Sequence, residues 1–123
     1  MLKEYDKILK SADFKKVQNG GFKAVTRTHL IFALPRKAGE GDEESKKPRV
    51  GFVVSKKAGK SVARSRIKRR LREAARRAIG PSEHASHVDF VIVGRSACFL
   101  AKYSDNVADM DKGLNYLRKQ YKH

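Results

Sequence analysis

The chain has few acidic residues, a single cysteine and no long hydrophobic run. Thirteen Asp and Glu stand against 29 Lys and Arg among 123 residues, which gives a formal charge of +16. Because Cys98 is the only cysteine, an internal disulfide is excluded. The apolar runs are far shorter than the roughly 20 residues that span a bilayer, so we expect no membrane partner. Residues 1–10 carry too many charges for a secretory leader, and we expect a cytoplasmic protein.

The excess of positive charge indicates a polyanionic partner. A compact domain with this charge repels itself unless a partner absorbs the field, and nucleic acid is the usual partner. A chain of 123 residues holds one hydrophobic core, so we expect residues 1–123 to form a single nucleic-acid-binding domain. Residues 36–48 are rich in Gly, Ser and charged residues, which predicts a flexible loop.

Apolar residues spaced three and four apart predict three helices. The first covers residues 12–19, with Ser11 as its cap and a glycine pair at its end. The second covers residues 61–79, and the third begins after Ser104. The helices are expected to pack against a sheet.

Runs of β-branched and aromatic residues predict about four strands. Residues 22–34 form one long strand or two short ones, and strict alternation would put Ala24 and Phe32 on one side. Residues 49–55 and 89–94 are almost wholly apolar, which is typical of strands covered on both faces. The order of elements predicts a mixed sheet, in which the last two strands and the helix between them are compatible with a parallel crossover.

Residues 56–77 form the most basic segment. Eleven of these 22 residues are Lys or Arg, and Glu73 is the only acid. On a helical wheel, Ile67 and Leu71 point to one side and most arginines to the other. Surface helices usually alternate signs to gain favourable pairs, so the near-absence of acids favours a phosphate-binding face. The charge pattern alone leaves RNA and DNA open.

Several short motifs follow one another around this segment. In order they are Asp13-Phe14-x-x-Val17, Arg49-Val50-Gly51, Ser55-Lys56-Lys57-x-Gly59, Val62-x-Arg64-Ser65-Arg66-Ile67-Lys68-Arg69-x-x-Arg72-Glu73, and Asp89-Phe90-Val91-Ile92-Val93 with Arg95. This ordered set resembles the bacterial ribonuclease P protein, a family marked by an Arg-Asn-Arg motif between a strand and a helix. Ser65 stands where the family usually has Asn, and Gln18 where many members have a second aromatic residue.

The resemblance implies a fold and a function. The fold is a two-layer α/β sandwich with a mixed sheet of about four strands and three helices, ribosomal protein S5 domain 2-like, with a left-handed crossover against the usual rule. The partners are ribonuclease P RNA and precursor tRNA, whose 5′ leader the ribonucleoprotein removes as an endonuclease. The RNA carries the chemistry with Mg²⁺, while the protein has no catalytic residue, no cofactor and no small-molecule substrate.

The resemblance also assigns residues to two surfaces. The catalytic RNA is expected on the basic segment, at Lys56, Lys57, Lys60, Arg64, Ser65, Arg66, Lys68, Arg69 and Arg72. A cleft between the first helix and the sheet is expected to take the single-stranded leader, with walls at Phe14, Val17 and Phe32. Aromatic faces beside a positive groove suit single-stranded RNA, although Phe14 and Phe32 also fit the apolar stripes of a core.

Other functions would require other features in this sequence. A ribosomal or general RNA-binding protein would share the charge but needs no aromatic cleft. A helix-turn-helix would have a second helix close before the basic one, and a membrane-surface helix would carry Trp or Phe where this helix has mostly Ala. The sequence offers no catalytic constellation; His84 and His87 lie in a polar turn without metal-binding partners, and His29 is expected to be structural.

Overall fold

A five-stranded mixed sheet forms the centre of the molecule in a computed structural model, which describes residues 6–7, 10–36, 48–79 and 88–121. The strands are β1 Asp6–Lys7, β2 Phe22–Val25, β3 His29–Pro35, β4 Arg49–Val54 and β5 Val88–Gly94. Their order in the sheet is β1-β4-β5-β3-β2. β3 is antiparallel to β2 and β5, whereas β4 is parallel to β5 and to the two-residue β1. Most of the predicted loop 36–48 lies outside the described residues.

Three helices pack on this sheet. They are α1 Ser11–Gly20, α2 Ser61–Ala78 and α3 Tyr103–Tyr121, and short 3₁₀ turns cover Lys56–Ala58 and Ser96–Phe99. The predicted fold class, three helices on a mixed sheet, is confirmed. The predicted cap at Ser11 is wrong, because Lys10 occupies the cap position and makes no side-chain hydrogen bond there. Asp13 in the first turn instead places a negative charge near the positive end of the helix dipole.

The two faces of the sheet are covered by different helices. α2 and α3 cover one face, where Ile31, Phe90 and Ile92 of the sheet belong to the same buried cluster as Leu71 and Met110 of the helices. α1 lies on the opposite face, over β3 and β5. A fully buried side chain of this size contributes about 1.5–3 kcal/mol, so the larger cluster under α2 and α3 provides most of the hydrophobic stabilisation.

The hairpin of β2 and β3 breaks the predicted alternation. Ala24 pairs with Ile31, and Lys23 pairs with Phe32. Because directly opposed residues share a face, Ala24 joins the core under α3 while Phe32 faces α1. The prediction that Ala24 and Phe32 share one side is therefore wrong, since the turn at residues 26–28 resets the period of two.

The predicted parallel crossover of β4, α2 and β5 is confirmed, with Arg49 opposite Asp89 and Val54 opposite Gly94. A Cβ on Gly94 would lie 2.6 Å from Ile67 Cγ2, so glycine permits the close approach of α2 to the sheet. This contact fixes the height of the basic helix above the sheet. The left-handed sense of the crossover stays a prediction.

Candidate nucleic-acid interface

The exposed face of α2 carries a dense set of cations. Ile67, Leu71, Ala74 and Ala75 are buried, which turns the opposite side of the helix to solvent. The exposed residues there include Ser65, Arg66, Arg69, Arg72, Arg76 and Arg77, while Arg64, Lys68 and Arg70 are half-buried. Glu73 is also exposed and is the one acid of the helix. The division into an apolar and a cationic face predicted from the sequence is confirmed.

The start of α2 adds three exposed lysines to this face. Lys56 and Lys57 lie in the 3₁₀ turn, and Lys60 occupies the cap position of the helix. The first turn contains no acid and no side-chain cap hydrogen bond, so its N–H groups and the positive end of the helix dipole favour an anion there. Gly59 makes the bend with a φ of 141°, which other residues rarely adopt.

Two arginines of α2 also bind the protein itself. The Arg66 guanidinium lies over the Phe99 ring, 4.9 Å from its centroid, and its Nε donates to the Phe99 carbonyl oxygen at 3.4 Å. Arg70 Nε donates to the Cys98 carbonyl oxygen at 3.2 Å. These contacts tie the turn Ser96–Phe99 to the basic helix. No sequence motif predicts these contacts, because the partners lie 33 and 28 residues apart.

A second candidate surface lies between α1 and the sheet. Phe14 of α1 and Phe32 of β3 are both half-buried and pack around Val17 and Val91. Val17 is only 1% exposed, so it packs beneath the two rings and offers almost no surface of its own. The structure therefore brings the three predicted cleft residues together, with Phe14 and Phe32 as the two that keep an open surface. We call this half-buried aromatic surface between α1 and the sheet the α1 cleft.

Cations flank the α1 cleft at both ends. Lys23 Nζ lies 5.7 Å from the centroid of the Phe32 ring. Near the start of α1, a pocket of about 320 Å³ is lined by Lys10, Asp13, Lys16, Leu34, Pro35, Arg36, Arg49 and Asp89. The sequence predicted neither the Lys23–Phe32 contact nor the pocket. The position of Lys23 beside Phe32 depends on the register of the hairpin.

A buried ion-pair cluster closes the pocket end of the α1 cleft. Asp89 is 5% exposed and accepts hydrogen bonds from Arg49 Nε at 2.8 Å and Arg49 Nη2 at 2.6 Å. Arg36 Nη1 donates to the same carboxylate at 2.7 Å. Bidentate, charge-assisted bonds of this kind are among the strongest in proteins. The cluster fixes the end of β3 against β4 and β5.

The buried polar groups near α3 form a second network. Thr28 Oγ1 donates to Asp109 Oδ2 at 3.2 Å and lies 2.8 Å from His29 Nδ1. Since the Thr28 hydroxyl proton points to Asp109, its oxygen accepts the proton of His29 Nδ1. Burial lowers the pKa of His29 to about 4, against a smaller opposing effect of Asp109. His29 is therefore neutral at physiological pH.

The remaining candidate ligands and nucleophiles do not form a site in the described part of the chain. No group of three His, Cys, Asp or Glu side chains among those residues could hold a metal ion. Burial raises the pKa of the Cys98 thiol, which keeps it protonated. No helix within the described ranges is long and apolar enough to cross a membrane. His84 and His87 lie outside the described residues.

Comparison with known proteins decides between the functions that the sequence left open. The family profile for Ribonuclease P matches residues 2–118, nearly the whole chain. The chain belongs to the ribonuclease P protein family. The ribonuclease P protein component of Paramagnetospirillum magneticum is 36% identical over 110 residues, which cover 89% of this chain and 80% of that relative.

Solved structures share the fold of this ribonuclease P protein. The RNase P protein of Staphylococcus aureus superposes with a TM-score of 0.69 at 24% identity, over 89% of this chain and 93% of that one. The RNase P protein from Thermotoga maritima gives a TM-score of 0.67 at 21% identity, over 93% and 96% of the two chains. The α+β architecture implied by the resemblance is thereby confirmed.

Proposed function

We propose that this ribonuclease P protein binds the catalytic RNA with the basic face of α2 and the 5′ leader of precursor tRNA in the α1 cleft. One observation carries the proposal: the chain combines a helix face of exposed arginines with a pair of half-buried aromatic rings that has a cation beside it. A protein that only neutralised RNA would need the first surface alone.

The basic face supplies the contacts to the catalytic RNA. The residues assigned to it are Lys56, Lys57, Lys60, Arg64, Ser65, Arg66, Lys68, Arg69 and Arg72. Arginine dominates within the helix, and its planar guanidinium suits bidentate phosphate contacts and stacking on bases. The lysines gather at the positive end of the helix, where a phosphate gains from both the side chains and the helix dipole. These contacts fix position without reading sequence.

The α1 cleft supplies the contact to the leader. A base stacked on an aromatic side chain gains about 1–3 kcal/mol, whatever its identity, so the cleft accepts leaders of varied sequence. Phe14 and Phe32 provide the rings, and Lys23 provides a cation beside Phe32. Val17 supports them from below.

The proposal assigns cleavage of the phosphodiester to the RNA partner. Hydrolysis assisted by metal ions needs no protein nucleophile, because bound metals can activate water and stabilise the leaving oxygen. We place the Mg²⁺ ions implied for the holoenzyme with the RNA, where they would supply this chemistry. The protein contributes binding of the substrate and screening of the polyanion.

The α1 cleft is tested by Phe14→Ala and Phe32→Ala in the reconstituted holoenzyme. Each is expected to weaken binding of precursor tRNA by about 1–3 kcal/mol and to leave binding of mature tRNA unchanged. Tyr103→Ala removes an exposed ring outside the cleft and should not alter the ratio of precursor to mature affinity. Circular dichroism establishes that the variants are folded. If the ratio survives both cleft substitutions, the rings belong to the core and the cleft assignment is wrong.

A further inference from the structure

A second groove lies at the edge of the sheet, between β2 and α3. It has a volume of about 540 Å³, and its lining includes Val25 and Arg27 on the β2 side and Asp109, Lys112, Gly113 and Tyr116 of α3. The α3 residues are spaced three and four apart, so they form one stripe along the helix. We call this feature the β2–α3 groove. The proposed contacts to the catalytic RNA and the leader use none of its α3 residues.

The floor of the β2–α3 groove is made of small residues. A Cβ on Gly113 would lie 2.8 Å from Ile31 Cδ1 and 3.7 Å from Ala24 Cβ, so α3 approaches the sheet closely at this glycine. Glycine inside a helix costs about 0.5–1 kcal/mol relative to alanine. The close approach leaves the larger side chains at the rim, where they face solvent.

The rim of the β2–α3 groove has the chemistry of a site for single-stranded nucleic acid. Tyr116 is 53% exposed and Val25 is 63% exposed. Two cations, Arg27 and Lys112, share the lining with one carboxylate, Asp109, which accepts a hydrogen bond from the buried Thr28, whereas the ammonium of the third basic residue, Lys23, lies beside Phe32 on the α1 side of the sheet. An exposed aromatic ring among cations binds a base by stacking and its phosphates by charge.

The same rim disfavours a protein strand as the occupant. Within the described residues, β2 is an edge strand that pairs with β3 alone, so its four residues leave a stretch of backbone that could accept a partner strand. Edge strands that are short and carry Lys pair poorly with a further strand. Here β2 has four residues and carries Lys23, with Arg27 in the following turn. The surface therefore fits RNA better than a peptide.

Lys23 connects the β2–α3 groove with the α1 cleft. It lines the groove, and its Nζ also lies 5.7 Å from the centroid of the Phe32 ring in the cleft. A strand of RNA that passes Phe32 can thus continue past Lys23 around the edge of the sheet.

We infer that the β2–α3 groove is a second contact for the 5′ leader, taking nucleotides that extend beyond those held in the α1 cleft. Tyr116 stacks on a base, and Lys112 and Arg27 bind the neighbouring phosphates. The inference rests on the proposed function, because it lengthens the path of the leader over the protein.

The test compares precursor tRNAs with leaders of about four and about sixteen nucleotides. These lengths bracket the number of nucleotides that one small domain binding single strands contacts. In the holoenzyme, Tyr116→Ala should weaken binding of the long-leader precursor about five-fold or more, while the short-leader precursor serves as the reference. Tyr103→Ala is the matched control, since Tyr103 lies in the same helix, is 50% exposed and does not line the groove. It should leave the ratio of long-leader to short-leader affinity unchanged.

A second variant keeps the test decisive if Tyr116→Ala disturbs the fold. Lys112→Ala should lower the slope of log affinity against log salt by about 0.7 for the long leader alone, the value of one phosphate of a single strand. If both variants keep the ratio of long to short affinity, the inference is overturned. Phe32→Ala, measured with both precursors, separates leader binding in the α1 cleft from the second contact in the β2–α3 groove. A loss on both leaders with Phe32→Ala, together with unchanged groove variants, would leave the α1 cleft standing without the second contact.

Discussion

The guanidinium of Arg66 stacks on the ring of Phe99, 4.9 Å from its centroid, and so joins the basic helix to the turn after β5. This contact distinguishes Arg66 from Arg69, although the two arginines look equivalent in the sequence. Arg69 is also exposed on α2 but makes no comparable contact within the described part of the chain.

Arg66→Ala should therefore lower both stability and RNA affinity, whereas Arg69→Ala should lower RNA affinity alone. A cation–π contact at an exposed site contributes about 0.5–1 kcal/mol, which is the loss expected in the free energy of unfolding for Arg66→Ala. Each variant should flatten the slope of log affinity against log salt by about one. Denaturant unfolding and salt-dependent binding measure the two effects. Equal stability of both variants would show that the Phe99 contact contributes nothing, and unchanged slopes would show that both side chains face only water.

Removal of the Asp89 carboxylate should destabilise the fold strongly. Asp89→Asn removes the charge that Arg36 and Arg49 share in a nearly buried site, and breaking such a pair costs about 3–5 kcal/mol. Asp105→Asn is the matched control, because Asp105 lies 3.9 Å from Arg27 in an exposed pair. Such surface pairs contribute about 0–1 kcal/mol. Similar unfolding free energies for the two variants would contradict the anchoring role of Asp89.

Stability should fall as the pH drops below 6.5, because His29 is buried in its neutral form. Its pKa is about 4 in the folded protein, against 6.5 when exposed, so the unfolded chain binds the proton first. Above pH 6.5 the neutral ring does not lower the free energy of unfolding. Below pH 6.5, each pH unit lowers the free energy of unfolding by up to about 1.4 kcal/mol, until the folded ring also protonates near pH 4. Between pH 7 and pH 5 the expected loss is about 2 kcal/mol.

Denaturant unfolding at pH 7 and pH 5 measures this effect, with His29→Gln as the control. The variant should lose less stability than the parent between the two pH values, since glutamine does not titrate and the carboxylates are common to both chains. An equal loss in both would assign the pH dependence to the carboxylates instead.

The elements of the fold could be predicted where the signal is local. Helical spacing of apolar residues gave α2 to within one residue of its end, and the apolar runs gave β4 and β5. The two faces of the β2–β3 hairpin could not be assigned, because a turn between strands decides which residues oppose each other. Ser11 has the side chain of a cap but lies one residue inside the helix, a difference that depends on the backbone entering at Lys10.

The candidate sites could be predicted only as far as composition and motif extend. The charge density of α2 gave its cationic face, and the family resemblance placed Phe14, Val17 and Phe32 together. Neither could reveal that Val17 is covered, since burial depends on what packs above a residue. The pairing of Arg66 with Phe99 and the place of Tyr116 in a groove arise from tertiary contacts without a sequence motif.

Cleavage of precursor tRNA by the purified protein, with and without a bacterial ribonuclease P RNA, determines whether this chain serves a catalytic RNA. We expect no cleavage by the protein alone. With the RNA present, we expect removal of the 5′ leader at a low Mg²⁺ concentration at which the RNA alone is inactive, because the basic face of α2 screens phosphates that Mg²⁺ would otherwise have to neutralise. Turnover by rigorously RNA-free protein, or RNA activity that the protein leaves unchanged, would contradict this role.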